Sequence, residues 1–312
     1  MRRLAIGAGA ALVLAIFGVW ADLAFVPAAE SPVRPVAGAP PAYGPKTVTA
    51  VPNAAAVGQR IWLPGLDDGF DPQGLAVTPG AVLVSGYLST ENGAHRGPCR
   101  VVRIDPATGA EVGRLDVPSP CGHAGGLGTG GDGNLYIADT HTLFVTPLAP
   151  GGVGGAFRRI ALGPGVVGGL AVSTPDGIWL GTYNEDGPGH LYRFAAATLA
   201  ALKDGDTLTA GDAARVLAIP DYAQGAAIGG GALWITRSDA RWGTLDRLDP
   251  ATGAAQHRYD IAPGTEGIAF DPAGRLWAVS EAGTRHFFDF PFAGLIVPFY
   301  PLVFTLDPAR LQ

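Results

Sequence analysis

The stretch from Cys121 to Val145, CGHAGGLGTGGDGNLYIADTHTLFV, runs from small residues into a short apolar segment, a glycine turn and a second strand that ends in polar side chains. The same unit recurs along the chain. Aligned on the leading glycine, its copies begin Gln73-Gly74-Leu75-Ala76-Val77, Gly125-Gly126-Leu127-Gly128-Thr129, Gly168-Gly169-Leu170-Ala171-Val172, Gln224-Gly225-Ala226-Ala227-Ile228 and Glu266-Gly267-Ile268-Ala269-Phe270, at spacings of 52, 43, 56 and 42 residues. A recurrence of roughly 40 to 50 residues made of several short strands is the signature of a β-propeller. The reading is therefore an all-β fold of four-stranded antiparallel blades.

Each copy divides into strands. The first blade takes 74–77, 82–85, 100–104 and 111–117; the second 126–129, 135–138, 143–147 and 157–162; the third 169–172, 178–182, 190–194 and 215–219; the fourth 225–228, 233–236, 244–248 and 255–261. The last copy supplies only 267–270, 276–279 and 302–306, and the missing strand is available at Gln59–Leu63. A strand from the far end of the chain would close the ring and remove its open seam. This gives five blades, with six as the alternative if residues 45–63 form a degenerate blade.

The 312 residues carry 47 Gly and 27 Pro without a collagen period, and 47% hydrophobic content excludes disorder. One repeat system fills residues 45–312, so a single domain is expected there. A net charge of −6 with no basic run leaves no electrostatic footprint for nucleic acid. At the N-terminus, Arg2-Arg3 precede an apolar run from Leu4 to Ala21, and Val19-Trp20-Ala21 or Val26-Pro27-Ala28 offers a small-residue cleavage site. Residues 1–28 read as a signal peptide, hence a secreted or periplasmic, extracytoplasmic protein; the alternative is a retained membrane anchor with the domain outside. Residues 29–44 are proline-rich and read as a linker. Cys99 and Cys121 both lie in the exported part, where a disulfide is expected and two free buried thiols are the alternative. Closing a loop of about 22 residues would contribute on the order of 3 kcal/mol.

The two faces of the disc differ in sequence. Turns between first and second strands are short and glycine-rich, as are the twin connections Asp105-Pro106-Ala107-Thr108-Gly109 and Asp249-Pro250-Ala251-Thr252-Gly253. These are scaffolding. The segments leaving the second strands are long and polar or aromatic, and they carry Tyr87, Asp139, His141, Tyr183, Asn184, Arg237, Glu281 and Arg285. On the same face Gln73, His123, Gln224 and Glu266 begin first strands beside the central channel, where a rigid propeller places its function. Each alone is also explained by hydrogen bonds to neighbouring blades, since buried polar groups need partners. Their convergence on one face favours a bound ligand, a small molecule or a protein, taken up by a monomer.

For a metal, Glu266, Glu281, Asp139 and Asn184 are hard oxygen donors able to meet at the channel mouth. The chain has no complete Asp-x-[Asp/Asn]-x-[Asp/Asn]-Gly calcium loop, no HExxH and no G-x-S-x-G elbow. The aromatic insert from Phe287 to Pro301 contains prolines that exclude a spanning helix. It is expected to pack along the blade edge, with a cover over the site or a dip into a membrane interface as alternatives.

The runs GGLGTGGDGNLYIADTHTLFV from Gly125 and GIAFDPAGRLWAVSEAG from Gly267 resemble the strand pairs of NHL-repeat and senescence-marker/gluconolactonase-like propellers. The resemblance spans roughly residues 70–308. In the lactonase-like members a divalent metal, usually calcium, is held in the channel by a glutamate at the start of a first strand, with asparagine and aspartate from other blades. Glu266 matches that glutamate's position type; Gln73-Gly74 and Gln224-Gly225 stand where an Asn-Gly pair is placed. The function expected is therefore ligand binding through the polar face without assignable catalysis, and the alternative is a calcium-type metal-dependent lactonase or esterase.

Overall fold

The computed structural model describes residues 35–89, 97–149, 152–153 and 155–312. The signal-peptide reading and the first part of the linker fall outside these residues. The chain enters the domain through β1 (Val57–Trp62). Blade one follows as β2 (Phe70–Thr78), β3 (Ala81–Leu88), β4 (Cys99–Ile104) and β5 (Glu111–Asp116). Blade two is β6 (Gly126–Thr129), β7 (Asn134–Asp139), β8 (Thr142–Ala149), the two-residue β9 (Gly152–Val153) and β10 (Arg158–Leu162). Blade three holds β11 (Leu170–Thr174), β12 (Gly177–Gly181) and β13 (Gly189–Ala195); after a detour through β14 (Thr207–Leu208) it ends in β15 (Arg215–Ile219). Blade four is β16 (Ala223–Gly229), β17 (Ala232–Asp239), β18 (Trp242–Leu248) and β19 (Ala255–Asp260). Blade five is β20 (Thr265–Phe270), β21 (Leu276–Ser280) and β22 (Leu302–Leu306), completed by β1 as its outer strand.

The ring thus has five blades, and the N-terminal strand closes it: Arg60 pairs with Phe304, Ile61 with Val303 and Trp62 with Leu302, antiparallel. The first strands β2, β6, β11, β16 and β20 touch one another in cyclic order around the axis. Apolar side chains fill the five gaps between blades, for example Trp277, Val303, Val84 and Ile104 between blades five and one, or Tyr136, Ile160, Leu180 and Phe194 between two and three. Strands covered on both faces, such as Leu276-Trp277-Ala278-Val279-Ser280, are buried throughout, whereas the outermost β5 alternates half-buried and exposed residues.

The recurring glycine has a steric cause. A Cβ on Gly74 would lie 2.6 Å from Leu127 N, on Gly126 2.5 Å from Ala171 N, on Gly225 2.3 Å from Glu266 O and on Gly267 2.4 Å from Leu75 N. Neighbouring first strands pack backbone against backbone at these points, which leaves no room for a side chain. The twin loops are rigid turns, as expected. Asp105 Oδ1 accepts from Ala107 N (2.8 Å) and Asp249 Oδ1 from Ala251 N (2.9 Å), and Gly109 and Gly253 both take φ +74°.

Three segments depart from expectation. β14 adds a parallel strand to the edge of blade two, Ala161 opposite Thr207, and so covers an edge that the repeat pattern leaves open. Residues 35–44 are docked on the domain: Ala37 forms a parallel bridge to Ile61, and Tyr43 packs edge-on to Phe299 at 6.2 Å. The aromatic insert forms short helices at Arg285–Phe288 and Ala293–Ile296. Its Phe288 and Phe299 pack together with Tyr43 beside blade five, while His286 and Phe287 line a cavity on the channel face. The insert therefore divides: its Phe288 and Phe299 pack at blade five as expected, and His286 and Phe287 reach the channel-face cavity. None of the described helices is long and apolar enough to cross a membrane.

The expected disulfide is present, joining Cys99 and Cys121 with Cα atoms 5.7 Å apart across 22 residues. It ties the segment leading into blade two to β4, where Cys99 is the register partner of Tyr87. Replacing both cysteines with serine is expected to lower stability by about 3 kcal/mol in urea unfolding while the ring still folds. Unchanged stability would show that the crosslink does no more than report on the compartment.

Candidate functional site

β-Bulges set the direction of three polar side chains around the axis. In β2 the register passes from Pro72 opposite Gly86 to Gly74 opposite Ser85, which leaves Gln73 as the extra residue. In β16 it passes from Ala223 opposite Arg237 to Gly225 opposite Thr236 and leaves Gln224. The shift in β20 between Thr265 and Ile268 contains Glu266. A bulge re-aims a side chain without breaking the strand. The following glycine then lies against the next blade's backbone, so a polar residue followed by glycine at the start of a first strand records both constraints.

On this face a cavity of ≈530 Å³ receives side chains from all five blades. Blade one gives Gln73 and Tyr87, blade two His123 and Thr140, blade four Gln224. Blade three and the segment before it give Val167, Gly169, Tyr183 and Glu185, and blade five gives Glu281 with His286 and Phe287 of the insert. Gln73 Nε2 donates to Glu281 Oε2 at 3.1 Å and to Pro72 O at 2.9 Å, linking blade one to blade five. The Tyr183 hydroxyl donates to Glu185 Oε1 at 3.1 Å. Burial first, and then Glu185 beside it, push the Tyr183 phenol well above its ordinary value. Tyr87 and His123 stand 6.0 Å apart, and Tyr183, Tyr222 and Trp242 continue edge-on at 6.1 and 5.7 Å. The other end of the channel is a narrower space of ≈150 Å³ between apolar residues including Leu75, Leu127, Ala226 and Ile268.

The loop that presents His123 is held from beneath. Asp139 Oδ1, at the end of β7, accepts from the backbone N–H groups of Gly122 (3.2 Å), His123 (2.6 Å) and Ala124 (3.0 Å). Ala124 takes φ 52°, a left-handed conformation unfavourable for alanine. Its carbonyl accepts from Ser85 Oγ at 2.8 Å. Across the mouth Tyr222 takes φ 54°, with its N–H bonded to Asn184 O at 2.8 Å. Backbone strain of this kind collects where surrounding contacts hold a site in shape.

Of the twelve candidate residues, Gln73, Tyr87, His123, Tyr183, Gln224 and Glu281 line the cavity. The other six are placed elsewhere, each for a physical reason. Asp139 is turned inward to its three amides. His141 is exposed in the tight turn after β7. Asn184 is engaged in its own turn, accepting from Asp186 N. Arg237 is drawn to Asp221, whose carbonyl accepts at 2.8 Å, with Asp246 at 3.8 Å. Arg285 donates to Asp67 O at 2.9 Å, outside the cavity. Glu266 is 2% exposed beside Ser238 Oγ at 3.3 Å, behind the lining, although its charge is felt at Tyr183.

The proposed oxygen donors Glu266, Glu281, Asp139 and Asn184 do not gather into a metal cage. Among the described residues the one close group of His, Cys, Asp and Glu ligand atoms is Cys99, Cys121 and Asp139, and there the two sulfurs are bonded to each other. A calcium site of the lactonase type does not fit this donor arrangement. Thr140, Val167, Gly169, Glu185, His286 and Phe287 are the lining residues that sequence reasoning passed over. For Glu185, His286 and Phe287 the usable signal was their place in or just beyond a second-strand exit.

No protein-family model and no curated protein matches the chain. Among solved structures it is similar to a glutaminyl cyclase of Myxococcus xanthus, with TM-score 0.51 and 14% identity over 80% of this chain and 94% of that one. It is also similar to the WD40 repeats of RRP9 (TM-score 0.45, 9% identity, 84% and 99% covered) and to a luciferin-regenerating enzyme (0.40, 10%, 80% and 96%). What the chain shares with such proteins is the β-propeller fold.

Proposed function

We propose that the chain is an extracytoplasmic β-propeller of the NHL and gluconolactonase-like group that binds a small molecule in the cavity over its channel. The observation that carries this reading is the convergence of polar and aromatic side chains from all five blades on one space of ≈530 Å³, a size suited to a small organic ligand. The disulfide and the apolar run after Arg2-Arg3 support the compartment. The GGLGTGGDGNLYIADTHTLFV strand pair supports the group.

Val167 is half-buried on the cavity wall, so Val167→Trp is expected to fill the space while leaving the blades intact. A ligand panel followed by NMR should give compounds that bind the parent protein and lose at least about tenfold in affinity to the variant, at unchanged melting temperature. Hits that bind both proteins equally would remove the cavity as the site. The panel should include a peptide with N-terminal glutamine, the substrate type that the name of the Myxococcus fold neighbour denotes; its turnover would make the chain an enzyme.

A further inference from the structure

Beyond its two cavity residues, the aromatic insert carries the two most exposed large apolar side chains among the described residues. Phe292 is 79% and Leu295 64% exposed, three positions apart on one short turn. Residues 290–296, FPFAGLI, hold no charged side chain. The charges that precede them, Arg285 and Asp289, face each other at 3.6 Å. Phe292 also takes φ 68°. A left-handed turn is easy for glycine or asparagine and strained for a bulky side chain. Here the strain holds a large ring out in solvent, a combination that folding alone does not call for.

We propose that this tip rests in the interface of a lipid bilayer, in which the apolar run from Leu4 to Ala21 is kept as an anchor. The run's 18 residues approach the roughly 20 that a bilayer span needs, and Arg2-Arg3 then stay on the cytoplasmic side. Residues 22–34 connect the run to the domain and can reach at most about 50 Å. That connection arrives beside the insert. Ala37 bridges to Ile61 in β1, the outer strand of blade five, and Val36 packs on the same apolar core. Tyr43 stands 6.3 Å from Phe288 at the base of the insert. The anchor therefore brings to the membrane the blade that carries the tip.

The size of the tip fits lipid and not a protein partner. An aromatic side chain buries roughly 150 to 250 Å², so two exposed residues fall far short of the roughly 1,200 Å² or more of a stable protein interface. At a membrane a small apolar wedge is marginal alone and becomes lasting when a second signal holds the protein at the surface. Anchor and tip are those two signals. Because His286 and Phe287 of the same insert line the cavity, the tip also sets the channel face near the lipid.

Tryptophan emission of the full chain, reconstituted in phosphatidylcholine vesicles with and without brominated acyl chains, tests this. Phe292→Trp keeps a ring at the tip, and the emission that it adds to the parent's is expected to fall at least about twofold in brominated lipid. Leu295→Trp should behave alike, both with the parent's melting temperature. Val216→Trp, at a 46% exposed position on the outer strand of blade three, should add unquenched emission. Added emission that is unquenched at both 292 and 295, or quenched equally at 216, overturns the proposal; with a particle mass of two chains, the unquenched result gives the tip to a second copy instead. Membrane-derived protein whose mass shows cleavage after Ala21 or Ala28 overturns it too, since no anchor then holds the tip at lipid. The cavity reading is decided separately, by Val167→Trp.

Discussion

Gly267→Ala is expected to destabilise the domain by about 3 kcal/mol or more, and to a degree that Gly113→Ala does not approach. The new methyl would sit 2.4 Å from Leu75 N and 2.7 Å from Gly74 C, both backbone atoms of the adjacent first strand. Backbone held by ladders on either side cannot move aside as a side-chain tip can, so overpacking here belongs at the upper end of its usual 1 to 3 kcal/mol or so. At Gly113, in the outermost strand of blade one, the nearest atoms are the Arg103 side chain at 3.8 and 3.9 Å, ordinary contact distances. There the change should stay within about 0.5 kcal/mol. Denaturant unfolding of the two variants checks this. Equal effects would mean that the axial strands do not touch as described.

Asp139→Ala should combine a loss of about 2 to 4 kcal/mol of stability with loss of ligand binding. Three N–H groups converge on Asp139 Oδ1. Removing the acceptor strands donors in a largely enclosed segment, where each orphan costs on the order of 1 to 3 kcal/mol, reduced where water can enter. Ala124 would then lose the contacts that hold its φ of 52°, and His123 would lose its position at the cavity. Asp139→Asn retains an acceptor oxygen and should recover most of the stability. If Ala and Asn behave alike, charge and not amide capture is what this residue supplies. Denaturation curves together with binding of a panel hit resolve the two.

The fold was legible because its constraints are local and repeated. At four of the five contacts between first strands glycine is required, and in three of those strands the polar residue before it marks a bulge; a blade short of one strand announces the partner at Gln59–Leu63. The candidate site was half legible. Gln73, Gln224, Tyr87, Tyr183 and Glu281 could be found from position type alone, since starts of first strands and ends of second strands lie on one face. Position type does not distinguish Tyr183 from Asp139, which also ends a second strand but faces inward. That difference depends on where the 122–124 backbone runs, and so on Ala124 and on a disulfide formed with another blade. Arg237 was misread for a related reason. Its partner Asp246 belongs to the next strand and Asp221 to the preceding loop, so cross-strand pairing, invisible in a linear repeat, turned it away from the axis.

The pairing of β1 with β22 also has a meaning in time. Val57 finds its partner in Leu306, so β1 stays single until β22, at the far end of the repeat series, has been made. Loop closure over such a separation is slow, and edges left unpaired in the interval are open to other chains. The ring is therefore complete only after β22 has been made. Its blades are then locked by one final event at Leu302–Leu306, and any truncation short of that strand leaves two sticky edges in place of one closed circle.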